Sequence, residues 1–162
     1  MLFIGEHCER LQRLYLKEVG PESHPTYVSQ SELIGKKLFR TLTSLHLSGR
    51  QWNPSTVLTI LLSHALKIES VSLLNLSSRF PLDGILQRIQ QHNPLNELQS
   101  VNLYSGCLLS LDTIRQLTFG LPQLTSLYFL QNDDMDISEV EALRTEAAKR
   151  NLNVKLCCLE LI

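Results

Sequence analysis
A six-residue phrase, L-x-x-L-x-L, returns along the whole chain. Its copies are Leu11/Leu14/Leu16, Leu42/Leu45/Leu47, Ile68/Val71/Leu73, Leu98/Val101/Leu103, Leu124/Leu127/Phe129 and a shortened last one at Val154/Leu156. Successive copies are offset by 31, 26, 30, 26 and 27 residues. Side chains of a strand point alternately to opposite sides, so each phrase predicts a strand with one buried face. The offset leaves room for one helix after each strand.

The segments between phrases carry helical spacing with start and stop signals. The first predicted helix covers 29–39, where Ser29 and Glu32 have capping-box spacing and Leu33, Ile34 and Leu38 form the apolar stripe. The second opens at Pro54 and presents Val57, Leu58, Leu61 and Leu62. The third carries Leu82, Ile85, Leu86 and Ile89 and stops at Asn93-Pro94. The fourth is capped by Ser110 or Asp112, buries Ile114 and Leu117, and ends at Gly120 ahead of Pro122. A last helix opens with the Ser138/Glu141 capping box, turns Val140 and Leu143 inward, and gives Glu139, Glu141, Arg144, Glu146, Lys149 and Arg150 to solvent.

A strand-helix unit of this size cannot hide its apolar side alone, so the units must stack with parallel strands inside and helices outside. The expectation is a single α/β domain over 1–162, a right-handed β-α superhelix of about five repeats with a parallel concave sheet. Residues 138–162 are expected to close it as a polar capping unit. At the other end, Leu11 follows the start so closely that one sheet edge is left bare. Either residues upstream of Met1 are missing, or the short apolar start is itself the cap.

Alternation sends three columns outward. They are Arg13, Ser44, Ser70, Ser100, Ser126, Asn153; then Tyr15, His46, Ser72, Asn102, Tyr128, Lys155; then Lys17, Ser48, Leu74, Tyr104, Leu130, Cys157. The serines of the first column fit crowding on a curved sheet, or a binding role. In the third, Leu74, Tyr104 and Leu130 form either an interaction patch or the seat of a C-terminal loop folded over them. The candidate protein-binding residues are Arg13, Tyr15, Lys17, His46, Leu74, Asn102, Tyr104, Tyr128, Leu130 and Lys155.

Composition narrows the partner. Fifteen basic and 16 acidic residues give a net charge of -1, which supplies no electrostatic footprint for nucleic acid or an anionic membrane. No apolar stretch reaches the roughly 20 residues of a membrane span, and the start lacks the pattern of a secretory signal. Cys8, Cys107, Cys157 and Cys158 lack zinc-ligand spacing and suggest reduced thiols in an intracellular, cytoplasmic or nuclear setting.

Catalytic chemistry finds little footing. The histidines His7, His24, His46, His64 and His92 fall on different units, and only His46 has a placement of interest, near Tyr15 on the outward face. Asp133, Asp134 and Asp136 cluster, but without the glycine and distal glutamate of a calcium loop they read as a solvated turn. Seven scattered glycines form no phosphate loop. No enzyme activity, cofactor or metal is expected.

The phrase C-E-R-L-Q-R-L-Y-L at 8–16 resembles the cysteine-containing subclass of leucine-rich repeats, with consensus C-x-x-L-x-x-L-x-L. L-P-Q-L-T-S-L-Y-F at 121–129 keeps the frame with Leu121 at the cysteine position. N-P-L-N-E-L-Q-S-V-N-L at 93–103 and the closing E-A-L-R-T-E-A-A-K-R-N-L are similar to late repeats of F-box/leucine-rich-repeat proteins. The Asn or Cys of that pattern three residues beyond the last leucine is replaced at Val19, Arg50, Leu76 and Gly106 and present at Asn132. The resemblance implies a ribonuclease-inhibitor-like fold that recruits a protein substrate for an SCF-type ubiquitin ligase. Contact with the SCF adaptor and cullin would then run through an F-box that these residues do not contain. The alternative is a leucine-rich-repeat scaffold or enzyme regulator with no ligase link.

Overall fold
The computed structural model of the chain describes residues 8–17, 38–49, 55–75, 80–104, 107–130 and 135–159. Its strands, in chain order, are β1 (Arg13–Lys17), β2 (Ser44–Ser48), β3 (Ser70–Leu74), β4 (Phe80–Pro81), β5 (Ser100–Tyr104), β6 (Cys107–Leu108), β7 (Ser126–Leu130) and β8 (Lys155–Leu159). Six of them form one sheet in the order β1-β2-β3-β5-β7-β8, and every neighbouring pair is parallel. Four helices are described: α1 (Ser55–His64), α2 (Leu82–Gln90), α3 (Leu111–Gly120) and α4 (Ile137–Lys149). One follows each of β2, β3, β5 and β7 and returns the chain to the next strand of the sheet, as parallel pairing requires.

The recurring leucines explain this order. Leu14, Leu45, Val71, Val101 and Leu127 stand at one level, and Leu47, Leu73, Leu103 and Phe129 at the next, all buried. They join Leu58, Leu61, Ile85, Ile89, Ile114, Leu117, Val140 and Leu143 of the helices in a single apolar cluster. The first leucine of each phrase works differently. It closes a turn in which its N–H donates to the carbonyl three residues back: Leu11 to Cys8, Leu42 to Phe39, Ile68 to Ala65, Leu98 to Leu95 and Leu124 to Leu121. The residue three positions before each of these, Cys8, Phe39, Ala65, Leu95 and Leu121, therefore lies in the turn that feeds β1, β2, β3, β5 and β7. Phe39 and Leu95 hold it in the left-handed region, at φ 52° and 56°.

Several expectations need correction. Residues 29–37 of the first predicted helix, with Ser29, Glu32, Leu33 and Ile34, lie outside the described residues, as do Pro54, Asp133 and Asp134. Leu38 and Phe39 are buried but not helical, because Phe39 already belongs to the turn before β2. The last helix is capped by Asp136, whose carboxylate accepts from the Ser138 N–H at 2.8 Å, and not by Ser138. Of the two caps considered for α3, Ser110 is the one used; its hydroxyl accepts from Thr113 N–H. The short parallel ladder of β4 with β6, outside the main sheet, has no counterpart in the periodic pattern.

The last strand is displaced by two residues. Ser126 faces Lys155, Leu127 faces Leu156 and Phe129 faces Cys158, so Asn153 lies before the strand and Leu159 completes it. The cause is the end of α4. Asn151 adopts φ 55°, its N–H donates to Ala148, and the Leu152 N–H donates to Ala147, a Schellman closure that uses up chain before β8 can begin. A slip of two keeps every side chain on its side of the sheet, so alternation alone is blind to it.

Candidate functional site
The first, third and fifth residues of the strands form the outward face of the six-stranded sheet, while the second and fourth turn into the core. With the corrected register its columns end in Lys155, Cys157 and Leu159. All ten residues named from the sequence stand on this face. Arg13, Tyr15, Lys17, Tyr104 and Lys155 are exposed, and His46, Leu74, Asn102, Tyr128 and Leu130 are half-buried.

The residues fall into two groups. On the β1 side, the Tyr15 and His46 rings are tilted against each other with centroids 5.4 Å apart, as their shared level predicts. On the β8 side, Tyr104 and Tyr128 have ring centroids 6.2 Å apart, and the Lys155 ammonium lies 5.7 Å from the Tyr128 centroid. At that distance the ammonium is attracted to the face of the ring, and Lys155 remains exposed to solvent. Lys155 does this from the level of Ser126 rather than from the level of Tyr128, where alternation had placed it. Between the groups, Asn102 donates to the Ser72 hydroxyl at 3.1 Å, and Ser126 donates to the Ser100 hydroxyl at 3.1 Å. These bonds tie small polar side chains to their neighbours along the columns, which leaves them flat.

The third column reads Lys17, Ser48, Leu74, Tyr104 and then, on β7 and β8, Leu130 and Leu159. Tyr104 is 40% exposed and Leu159 38%. Leu159 is the residue sequence reasoning missed, and the two-residue slip is the reason. Its addition makes the apolar stripe four strands wide.

The chain ends of the helices also hold groups that periodicity read too simply. Arg144, assigned to a solvated face, pairs with Glu141 and donates from Nε and Nη2 to the Leu156 carbonyl at 3.1 and 2.8 Å. Among the described residues β8 is the last strand of the sheet, and Lys155 N–H donates toward β7, which turns the Leu156 carbonyl to the other side, where the guanidinium is its partner. Among the described residues no group of three or more His, Cys, Asp or Glu side chains lies placed to hold a metal ion. Among them, too, no helix is long and apolar enough to cross a membrane.

No protein-family model, no curated protein and no solved structure matches the chain.

Proposed function
We propose that the chain is a protein-interaction solenoid of the leucine-rich-repeat class, with the outward face of its parallel sheet as the docking surface. One observation carries this reading: outward residues of six parallel strands stand level with one another, and one of the columns they form is apolar over four strands. Exposed leucine and tyrosine in a contiguous stripe cost solvation free energy in the isolated chain, and a partner that covers them recovers it. The β-α order with helices on one side supports a superhelix in which this face is the concave one.

Carried further by the resemblance, the chain is the substrate-recognition part of an SCF-type ubiquitin ligase receptor. In this reading it is not an enzyme: it holds the protein to be modified while other subunits do the chemistry. An intracellular site of action belongs to the same proposal.

The test is isolation of the tagged full-length gene product, with any sequence encoded upstream of Met1 included, from cells in which the proteasome is inhibited. The expected result is recovery of the SCF adaptor and cullin together with a ubiquitylated partner. A stoichiometric partner recovered without adaptor or cullin removes the ligase assignment and leaves a scaffold or regulator. If the partner is retained after Leu74 and Leu130 are both changed to serine, the docking face itself is refuted.

A further inference from the structure
The outward face is electrically one-sided. Its charged residues are Arg13 and Lys17 on β1 and Lys155 on β8, and no Asp or Glu occupies an outward position of any of the six strands. The chain as a whole has 16 acidic residues and a net charge of -1, so this cationic bias belongs to the face and not to the composition. Glu18, Glu69 and Glu160 directly adjoin strands β1, β3 and β8 in sequence; of these only Glu69 is among the described residues, and it sits at the end of β3 opposite Leu74.

Within the third column charge and apolar surface are also ordered, while Lys155 stands in the first column at the β8 edge, beside Tyr128. Lys17 stands in the third column, two strands from Leu74, with Ser48 between them. Beyond Leu74 come Tyr104, Leu130 and Leu159. At about 4.8 Å per strand the column is about 24 Å wide, with the ammonium at one end and about 14 Å of apolar stripe at the other. Lys17 is exposed and Tyr15, its neighbour on the same strand, is 65% exposed, so the cationic end is open to solvent.

We infer that the occupant of this face is a segment of another protein that is itself polarised. It carries leucine-type or aromatic side chains over the β3-to-β8 stripe and carboxylates at the β1 end, facing Lys17 and Arg13. A segment with its charge reversed would set like charges together at the end where it must anchor, which is how the face discriminates between partners of equal hydrophobicity. The inference rests on the docking face proposed above and adds the chemistry of what docks.

The experiment selects random peptides of about 16 residues, which as a helix span the ~24 Å column, against the full chain, and measures synthetic copies of the winners by fluorescence anisotropy. The expected pool combines Asp or Glu with Leu, Phe or Trp. Its binding to the parent chain should fall with added salt, and Lys17→Glu should weaken it about threefold to tenfold at low salt, a gap that narrows as salt screens both the attraction and the repulsion. Leu130→Ser should weaken it by about tenfold or more. Lys17 is an exposed edge residue, so its substitution reports on binding even where Leu130→Ser fails to fold. A pool without acids, or one indifferent to Lys17→Glu, overturns the polarised partner while the docking face survives if Leu130→Ser still abolishes capture. Peptides indifferent to both substitutions overturn the face as well. Self-association in sedimentation velocity that Leu130→Ser removes would assign the stripe to a second copy and overturn the acidic partner.

Discussion

Asn93 is 2% exposed and makes three hydrogen bonds: its amide donates to the Leu62 carbonyl at 2.6 Å and to the Ala65 carbonyl at 3.1 Å, and its oxygen accepts from the Leu95 N–H. Leu62 and Ala65 lie at the C-terminal end of α1, where helical carbonyls lack partners within the helix. A residue of one repeat thus closes the helix of the repeat before it. Asn93→Ala should cost about 2–4 kcal/mol in urea denaturation, because the Leu62 carbonyl and the buried Leu95 N–H lose the amide together, while the Ala65 carbonyl keeps the Ile68 N–H. A loss below about 1 kcal/mol would mean that water reaches them. Leu103, 2% exposed on β5, makes the apolar counterpart. Leu103→Ala should cost about 2–5 kcal/mol, since the stacked layers on both sides prevent full collapse of the cavity. A near-neutral result would contradict its inward assignment. Sequence identified Leu103 from alternation, yet read Asn93 only as a stop signal before proline. The partners of an amide 28 and 31 residues away are not written in its own neighbourhood.

Among the elements, α4 shows how caps decide where a helix and its following strand lie. Asp136 is held below its ordinary carboxyl value by the Ser138 backbone N–H first and the Ser138 hydroxyl second. A carboxyl whose pKa is lower folded than unfolded stabilises the fold above the unfolded value, 3.8, and loses that contribution as pH falls through the lower folded one. Asp136→Ala should therefore lower the melting temperature at neutral pH, and the gap from the parent should close as pH falls below 3.8. A gap that persists unchanged at low pH would show that the carboxylate charge is not what caps the helix. Both Asp136 and Ser138 are eligible capping types, and the pair S-x-x-E favoured Ser138 on spacing; the choice went to the residue whose carboxylate also meets the helix dipole. The other end of α4, with Asn151 at positive φ, fixes the start of β8 and hence which residues of K-L-C-C-L stand beside Tyr128.

At the scale of the whole molecule, the sheet separates two duties by parity. Inward residues hold the stack and outward ones are spared that task, so Leu74→Ser with Leu130→Ser should leave stability within about 1 kcal/mol while weakening partner capture. For a chain of this size that corresponds to a shift of about 2–4 °C in melting temperature, readily followed by differential scanning fluorimetry. A much larger drop would place both leucines in the core. A stack built of local strand-helix units also explains why so much was legible beforehand: each unit repeats the same local solution, and the repeats confirm one another.

The chain's own pattern determined that strands of buried leucine alternate with helices, which residues face out, and that those strands pair in parallel, because periodicity of two and of 3.6 reports the burial of each side chain directly. Only the tertiary structure decided the register of β8, the bonds of Asn93 and Arg144, the β4–β6 ladder, and the place of Leu159 beside Leu130. These depend on how much chain a turn consumes and on partners brought close from distant positions, and neither quantity leaves a mark in the local order of apolar and polar residues.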